Sequence, residues 1–162
     1  MERRTFVRGV GAVAVAGAVA GCSQSSGSND GGDGGDGGDG PSAPKEVSDY
    51  LSETSDFDGN LTDETGKDTV TVEVGASGNG GNYAFAPAAI KISTGTEVQW
   101  KWTGKGGGHN VVAEDDAFDS GSTEAKAGVN FTHTFDEAGT HLYYCLPHKG
   151  LGMKGAIVVS EG

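Results

Sequence analysis

Cysteine is nearly absent from this chain. Cys22 and Cys145 are the only two in 162 residues, too few for the multi-bridge framework that staples small exported domains. Basic residues are scarce as well, 11 Lys plus Arg against 23 Asp plus Glu, for a formal net charge of −12. Nucleic acid is excluded as a partner on that ground, since phosphate binding needs a basic face. Long apolar runs are missing. An uncharged Val/Ala/Gly run from Gly9 to Ala20 has 12 residues, below the ~18–20 that cross a bilayer as a stable helix. No Ser-His-Asp set, paired catalytic carboxylates or phosphate loop is legible, so an enzyme is not expected. Gly104-Lys105-Gly106-Gly107-Gly108 is rich in glycine, but no helix follows it, which argues against phosphate binding.

What is present begins with an export signal. Arg3-Arg4 and Arg8 precede the short Val/Ala/Gly run, and small residues end it. That order is the plan of a secretory signal, and the paired arginines point to the twin-arginine route. Val19-Ala20-Gly21-Cys22 resembles a lipobox, which makes Cys22 the expected lipid anchor and residues 1–21 the removed signal. Loss of that segment takes away Arg3, Arg4, Arg8 and Glu2, leaving 8 basic against 22 acidic residues, or −14. Such acidity suits a protein in very salty surroundings, where the Debye length is only about 3 Å at molar salt. Residues 22–44 hold an Asp-Gly-Gly repeat without apolar side chains. They cannot offset the entropy of ordering and read as a tether with a reach of roughly 25 Å. The expected location is the outer face of the cell membrane.

From Lys45 to Gly162 the composition changes to that of one domain. Val47, Tyr50 and Leu51 have helical spacing and predict a short helix over 45–53, with Phe57 plugging a sheet edge. Thereafter strands dominate. Val70, Val72 and Val74 alternate, as do Ile90 and Ile92, and Val98, Trp100 and Trp102. Val129, Phe131, His133 and Phe135 share one parity, His141, Tyr143 and Cys145 another, and 156–159 closes as a strand. Glycine and Asp/Asn clusters separate these runs. The pattern predicts an all-β sandwich with Greek-key connections behind one short N-terminal helix.

With Cys22 lipidated, Cys145 is an unpaired thiol in an exported protein. It stands in Tyr144-Cys145-Leu146-Pro147-His148-Lys149-Gly150-Leu151-Gly152-Met153, which offers a thiolate, an imidazole and a thioether within nine residues. Soft and borderline donors suit copper, whereas calcium and magnesium want oxygen. A second imidazole must come from elsewhere, and His109, in Gly108-His109-Asn110, is the candidate. Two His, one Cys and an axial Met form the ligand set of an electron-transfer copper site. His133 and His141 fall among apolar residues on strand patterns and are left out of the site.

The order Phe85-Ala86-Pro87, Gly95-Thr96 before a Trp-rich strand, Gly108-His109-Asn110, Gly139-Thr140 and Cys-x2-His-x4-Met resembles the plastocyanin-like cupredoxins. Tyr50-Leu51-Ser52 with Phe57-Asp58-Gly59, Trp100-Lys101-Trp102-Thr103-Gly104, the acidity and the lipobox look like those of the halocyanins, the haloarchaeal members of that family. The resemblance covers about residues 45–162. It implies a cupredoxin-like fold holding one type 1 copper ion on His109, Cys145, His148 and Met153. It implies a monomer that carries single electrons between a donor and an acceptor, both membrane redox complexes. It also implies an Asn110 hydrogen bond to the Cys145 loop and a second electron route at Tyr144. Phe85, Pro87, Pro147 and Leu151 are expected to surround an exposed His148. A copper-holding or copper-delivery protein would use the same ligands, and speed of metal loss to a chelator separates the two.

Overall fold

The computed structural model describes residues 40–162; the expected export signal, Cys22 and nearly all of the expected Gly/Asp tether lie outside them. Two mixed sheets face each other. One has the order β1-β4-β9-β8-β6, from Thr62–Asp63, Ala89–Ser93, Lys154–Ser160, Gly139–Tyr144 and Val112–Ala113. The other runs β3-β2-β5-β7, from Gly81–Ala86, Thr69–Gly78, Thr96–Trp102 and Gly128–Phe135. β2 pairs with β5, and β4 with both β1 and β9, in parallel; the remaining pairs are antiparallel. The β-sandwich expected from the alternating runs is therefore the fold. Among the described residues no helix is long and apolar enough to cross a membrane.

The alternation places the core. Val70, Val72 and Val74 of β2 and Val98, Trp100 and Trp102 of β5 are buried between the sheets, because successive side chains on a strand point to opposite faces. Ile90 and Ile92 join them from β4, and Ile157 and Val159 from β9. Ala89 and Ala156 point the other way and are also buried, under helix α1 (Lys45–Tyr50). Val47 and Leu51 of that helix region are 0% and 1% exposed, and Phe57 packs against the same small cluster. The helix ends at Tyr50, three residues before the expected end, and Leu51 caps it with a bond to the Val47 carbonyl. Chain pairing starts ahead of the helix, where the Ala43 amide donates to Gly59 and the Leu61 amide to Pro41.

β7 departs from simple alternation. Trp100 pairs with Phe131, but Lys101 pairs with Val129, so Asn130 bulges out of the ladder. An extra residue reverses side-chain parity beyond it. Val129 consequently turns outward and is 47% exposed, while Phe131 stays packed on Trp100 at 5.2 Å.

Tyr143 of β8 explains a glycine. It sits opposite Gly155 of β9, and a Cβ at Gly155 would come 2.3 Å from the Tyr143 ring. That ring is fully buried, edge-on to Phe85 at 4.8 Å and to Trp100 at 5.7 Å. It has nowhere to retreat. Gly155→Ala is expected to lower stability by about 1–3 kcal/mol, the usual cost of overpacking. A thermal melt of the metal-free protein that matches wild type would contradict this packing.

Candidate metal centre

One end of the sandwich gathers the sulfur and nitrogen donors. Cys145 leaves the end of β8, a 3-10 helix spans Leu146–Leu151, and Met153 precedes β9. Pro147 starts the short helix well, because its missing amide is one the first turn would not use. Gly152 ends it at φ +98°, a left-handed conformation that costs glycine little. The loop closes on itself: the Cys145 amide donates to the Met153 carbonyl at 3.0 Å, and the Met153 amide to the His148 carbonyl at 3.3 Å. His109 arrives from the connection between β5 and β6. Its strand-like pairing with Glu124 runs both ways, at 3.0 and 2.9 Å, and Trp102 Nε1 donates to its carbonyl at 3.1 Å.

His109, Cys145 and His148 converge, as their sequence positions predicted. His109 Nδ1 lies 3.1 Å from His148 Nδ1, and Cys145 Sγ lies 3.7 and 3.5 Å from those two nitrogens. His109 Nε2 is 2.8 Å from the Lys105 carbonyl. A carbonyl only accepts, so Nε2 carries the ring proton and Nδ1 faces the cluster with its lone pair. Burial pushes the pKa of His109 down against the lift from Lys105, and burial followed by repulsion from His109 does so for His148. Both rings are thus held neutral, the form that binds metal. Burial raises the Cys145 thiol, opposed by the Asn110 and His148 amides directed at the sulfur.

Two nitrogens and a sulfur aimed at one point fit a soft or borderline cation. A point equidistant from the three atoms is about 2.0 Å from each, close to the roughly 2.0–2.1 Å of a metal–imidazole bond. Met153 is fully buried in the core cluster that contains Cys145. The donor set suits copper better than an oxygen-loving ion.

Burial separates the donors. Cys145, His109 and Met153 are 0%, 1% and 0% exposed, whereas His148 is half-buried. Beside it Leu146 and Leu151 are 63% and 51% exposed, and Pro147 is exposed too. Phe85 does not belong to this patch: it is 0% exposed, in the core against Tyr143. Tyr83, two residues earlier on β3, takes the place expected of it, with its ring 4.7 Å from His148. The two aromatics share one parity on β3 and both face the main core, so alternation does not tell them apart. Asn110 makes the expected bond, accepting from the Leu146 amide at 2.8 Å, and its Nδ2 donates to Gly121. Over Tyr144 lies Lys149 Nζ, 3.9 Å from the ring centre and 2.6 Å from Glu114. His133 and His141 flank Phe135 at 4.7 and 5.1 Å and take no part in the donor cluster.

The glycine-rich connection before His109 has a steric role. Gly106 has φ +81°, and a Cβ there would meet the Asn82 carbonyl at 2.3 Å and His109 Nε2 at 2.8 Å. Gly75 faces the same ring, its would-be Cβ 3.0 Å from Nε2. Lys105 and Gly75 escaped the sequence reading, because one acts through its carbonyl and the other by having no side chain.

The chain has relatives among known proteins. The sequence profile of the copper binding proteins, plastocyanin/azurin family, matches residues 70–160. A halocyanin from Natronomonas pharaonis is 47% identical over 165 residues, covering 98% of each chain. A plastocyanin from Scenedesmus fuscus is 38% identical over 99 residues, 56% of this chain and 98% of that one. The solved oxidized plastocyanin from Dryopteris crassirhizoma is 30% identical over 56% of this chain and 100% of that one, with a TM-score of 0.46.

Proposed function

The chain belongs to the plastocyanin/azurin family of copper-binding proteins, and from that premise we propose that it is a membrane-tethered carrier of single electrons. His109, Cys145 and His148 would hold the copper, and Met153 would be its fourth ligand. The observation that carries this reading is the convergence of three donor atoms, 3.1 to 3.7 Å apart, on one buried point. Bound copper supplies a couple between Cu(I) and Cu(II).

The residues supply the rest. The Lys105 carbonyl fixes the His109 ring so that only Nδ1 is offered. Asn110 ties the strand of His109 to the loop of Cys145 through the Leu146 amide, so the two halves of the site move together. A frame that holds its donors still leaves little to rearrange when an electron arrives. His148 is the one donor of the set that is half-buried, and its ring is the exit toward a partner. Leu146, Pro147 and Leu151 around it give a partner a small apolar face, suited to brief encounters of low buried area. The paired arginines, the lipobox at Cys22 and the Gly/Asp repeat support export by the twin-arginine route and tethering outside the cell, within reach of membrane redox complexes.

Copper-loaded protein is expected to show one intense visible absorption band and reversible one-electron voltammetry, with slow copper loss to a chelator. Rapid loss would mark a copper-delivery protein instead, and a colourless copper-loaded protein would end the carrier reading. Mass spectrometry of the exported protein should find Cys22 as a lipidated N-terminus.

A further inference from the structure

The turn that follows α1 is pressed against the loop bearing Cys145, His148 and Met153. Thr54 lies in it, 4% exposed, and its hydroxyl donates to the Gly152 carbonyl at 2.8 Å across 98 residues of sequence. Asn79 Nδ2 donates to the same carbonyl at 3.2 Å and to the Tyr83 carbonyl at 2.6 Å. Asn79 is itself anchored to the turn. The Ser55 amide donates to Asn79 Oδ1 at 2.9 Å, and the Asn79 amide donates to Ser55 Oγ at 2.6 Å.

Gly152 is shaped for this contact. At its φ of +98° a Cβ would lie 2.5 Å from the Glu53 carbonyl and 2.9 Å from Asn79 Oδ1. The turn and the loop touch backbone to backbone there, with no room for a side chain. The next residue is Met153. A peptide plane whose carbonyl is held by two donors cannot rotate freely, and rotating that plane would swing the Met153 backbone. The Met153 amide, in that same peptide plane, donates to His148, and on the other side the Met153 carbonyl accepts from Cys145. Thr54 and its turn precede residue 70, so this brace on the loop comes from outside the span matched by the family profile.

We propose that Thr54, assisted by Asn79, is a positioning residue: by gripping the Gly152 carbonyl it fixes the backbone from which the Met153 thioether reaches the copper, and so sets the reduction potential. The inference rests on the copper reading above. An axial thioether tunes the potential of such a site, and outer partners of metal ligands typically matter by 10–100-fold.

Thr54→Val keeps the shape and removes the donor. With the thioether less firmly held, Cu(I) gains relative to Cu(II). The equilibrium constant for reduction should rise roughly tenfold, the lower end of the outer-partner range, which is about 59 mV for a one-electron couple. The electron paramagnetic resonance spectrum of the oxidised form should change with it. In metal-free protein the Met153 amide should exchange with solvent about tenfold faster, because the peptide it belongs to loses one of the two donors on its carbonyl. Thr54→Ser restores the hydroxyl and should return all three readings to wild type. Asn79→Asp keeps the Ser55 contact and loses the Nδ2 donor, but its added negative charge itself favours Cu(II), so its readout is amide exchange in metal-free protein: the Met153 amide should again exchange faster, by less, and an unchanged rate overturns the proposal if Thr54→Val does not fold. An unchanged potential and spectrum in the folded variant overturns the proposal, whatever its melting temperature. Wild-type protein that loads copper without an intense visible band overturns the copper reading itself, and that is measured first.

Discussion

Cys145→Ser removes the visible absorption of copper-loaded protein and weakens copper binding by more than the 10–100-fold that loss of an outer partner costs. The replacement is nearly isosteric, so the fold is retained. What changes is the donor. A thiol is deprotonated outright when it coordinates a metal, even though burial here pushes its pKa up. A serine hydroxyl holds its proton far more tightly and presents a hard oxygen to a soft ion. The Asn110 and His148 amides that point at the sulfur can donate to a hydroxyl instead. The stability cost in metal-free protein is therefore expected at or below the roughly 1–3 kcal/mol of burying an unpartnered hydroxyl. Optical spectra of the two copper-loaded proteins, recorded beside their metal-free melts, make the test. Matching spectra would mean that Cys145 does not bind the metal.

Gly106→Ala should have the second largest effect, and it needs a control. Both Gly106 and Gly107 are left-handed, at φ +81° and +84°. An L-residue in that conformation costs about 1–2 kcal/mol. At Gly107 an added Cβ meets nothing within 4 Å, so Gly107→Ala should cost only that strain and leave copper affinity alone. At Gly106 the same methyl strikes the Asn82 carbonyl and the His109 ring. One obstacle is backbone, and the other is already bonded to Lys105. The ring must tilt or the connection must move, and either change takes Nδ1 off its aim. Copper affinity is expected to fall 10–100-fold, as when a ligand loses its outer support, with a further roughly 1–3 kcal/mol of lost stability from overpacking. Competitive copper titration and thermal melts of the two variants give the comparison. Equal behaviour of the pair would show that the ring is not held in place by the glycine.

The donor residues were legible because three of them share one short loop and the fourth follows a glycine run. Spacing alone brings Cys145, His148 and Met153 together, and donor chemistry asks for one more imidazole. The core was legible for a similar reason. Alternation over Val70-Val72-Val74 and Val98-Trp100-Trp102 is a local signal, and both faces came out as the period demands. Three things were hidden. The outward turn of Val129 depends on one bulged residue, which a pattern of hydrophobicity does not register. The exchange of Phe85 for Tyr83 beside His148 is between two residues of one parity, which differ only in how far along β3 they stand. The Lys105 carbonyl and the grip of Thr54 on Gly152 join a side chain to a backbone oxygen. Carbonyls are the same at every position, so no residue type announces which one is used.

β9 lies at the middle of its sheet, between β4 and β8, yet among the described residues it is the last strand in chain order. Its partner Ala89–Ser93 precedes it by 67 residues, and that sheet stays split until β9 arrives. The loop that carries Cys145, His148 and Met153 joins β8 to β9, so its far end is anchored only once β9 is seated. Sheet and donor loop are completed by the same strand.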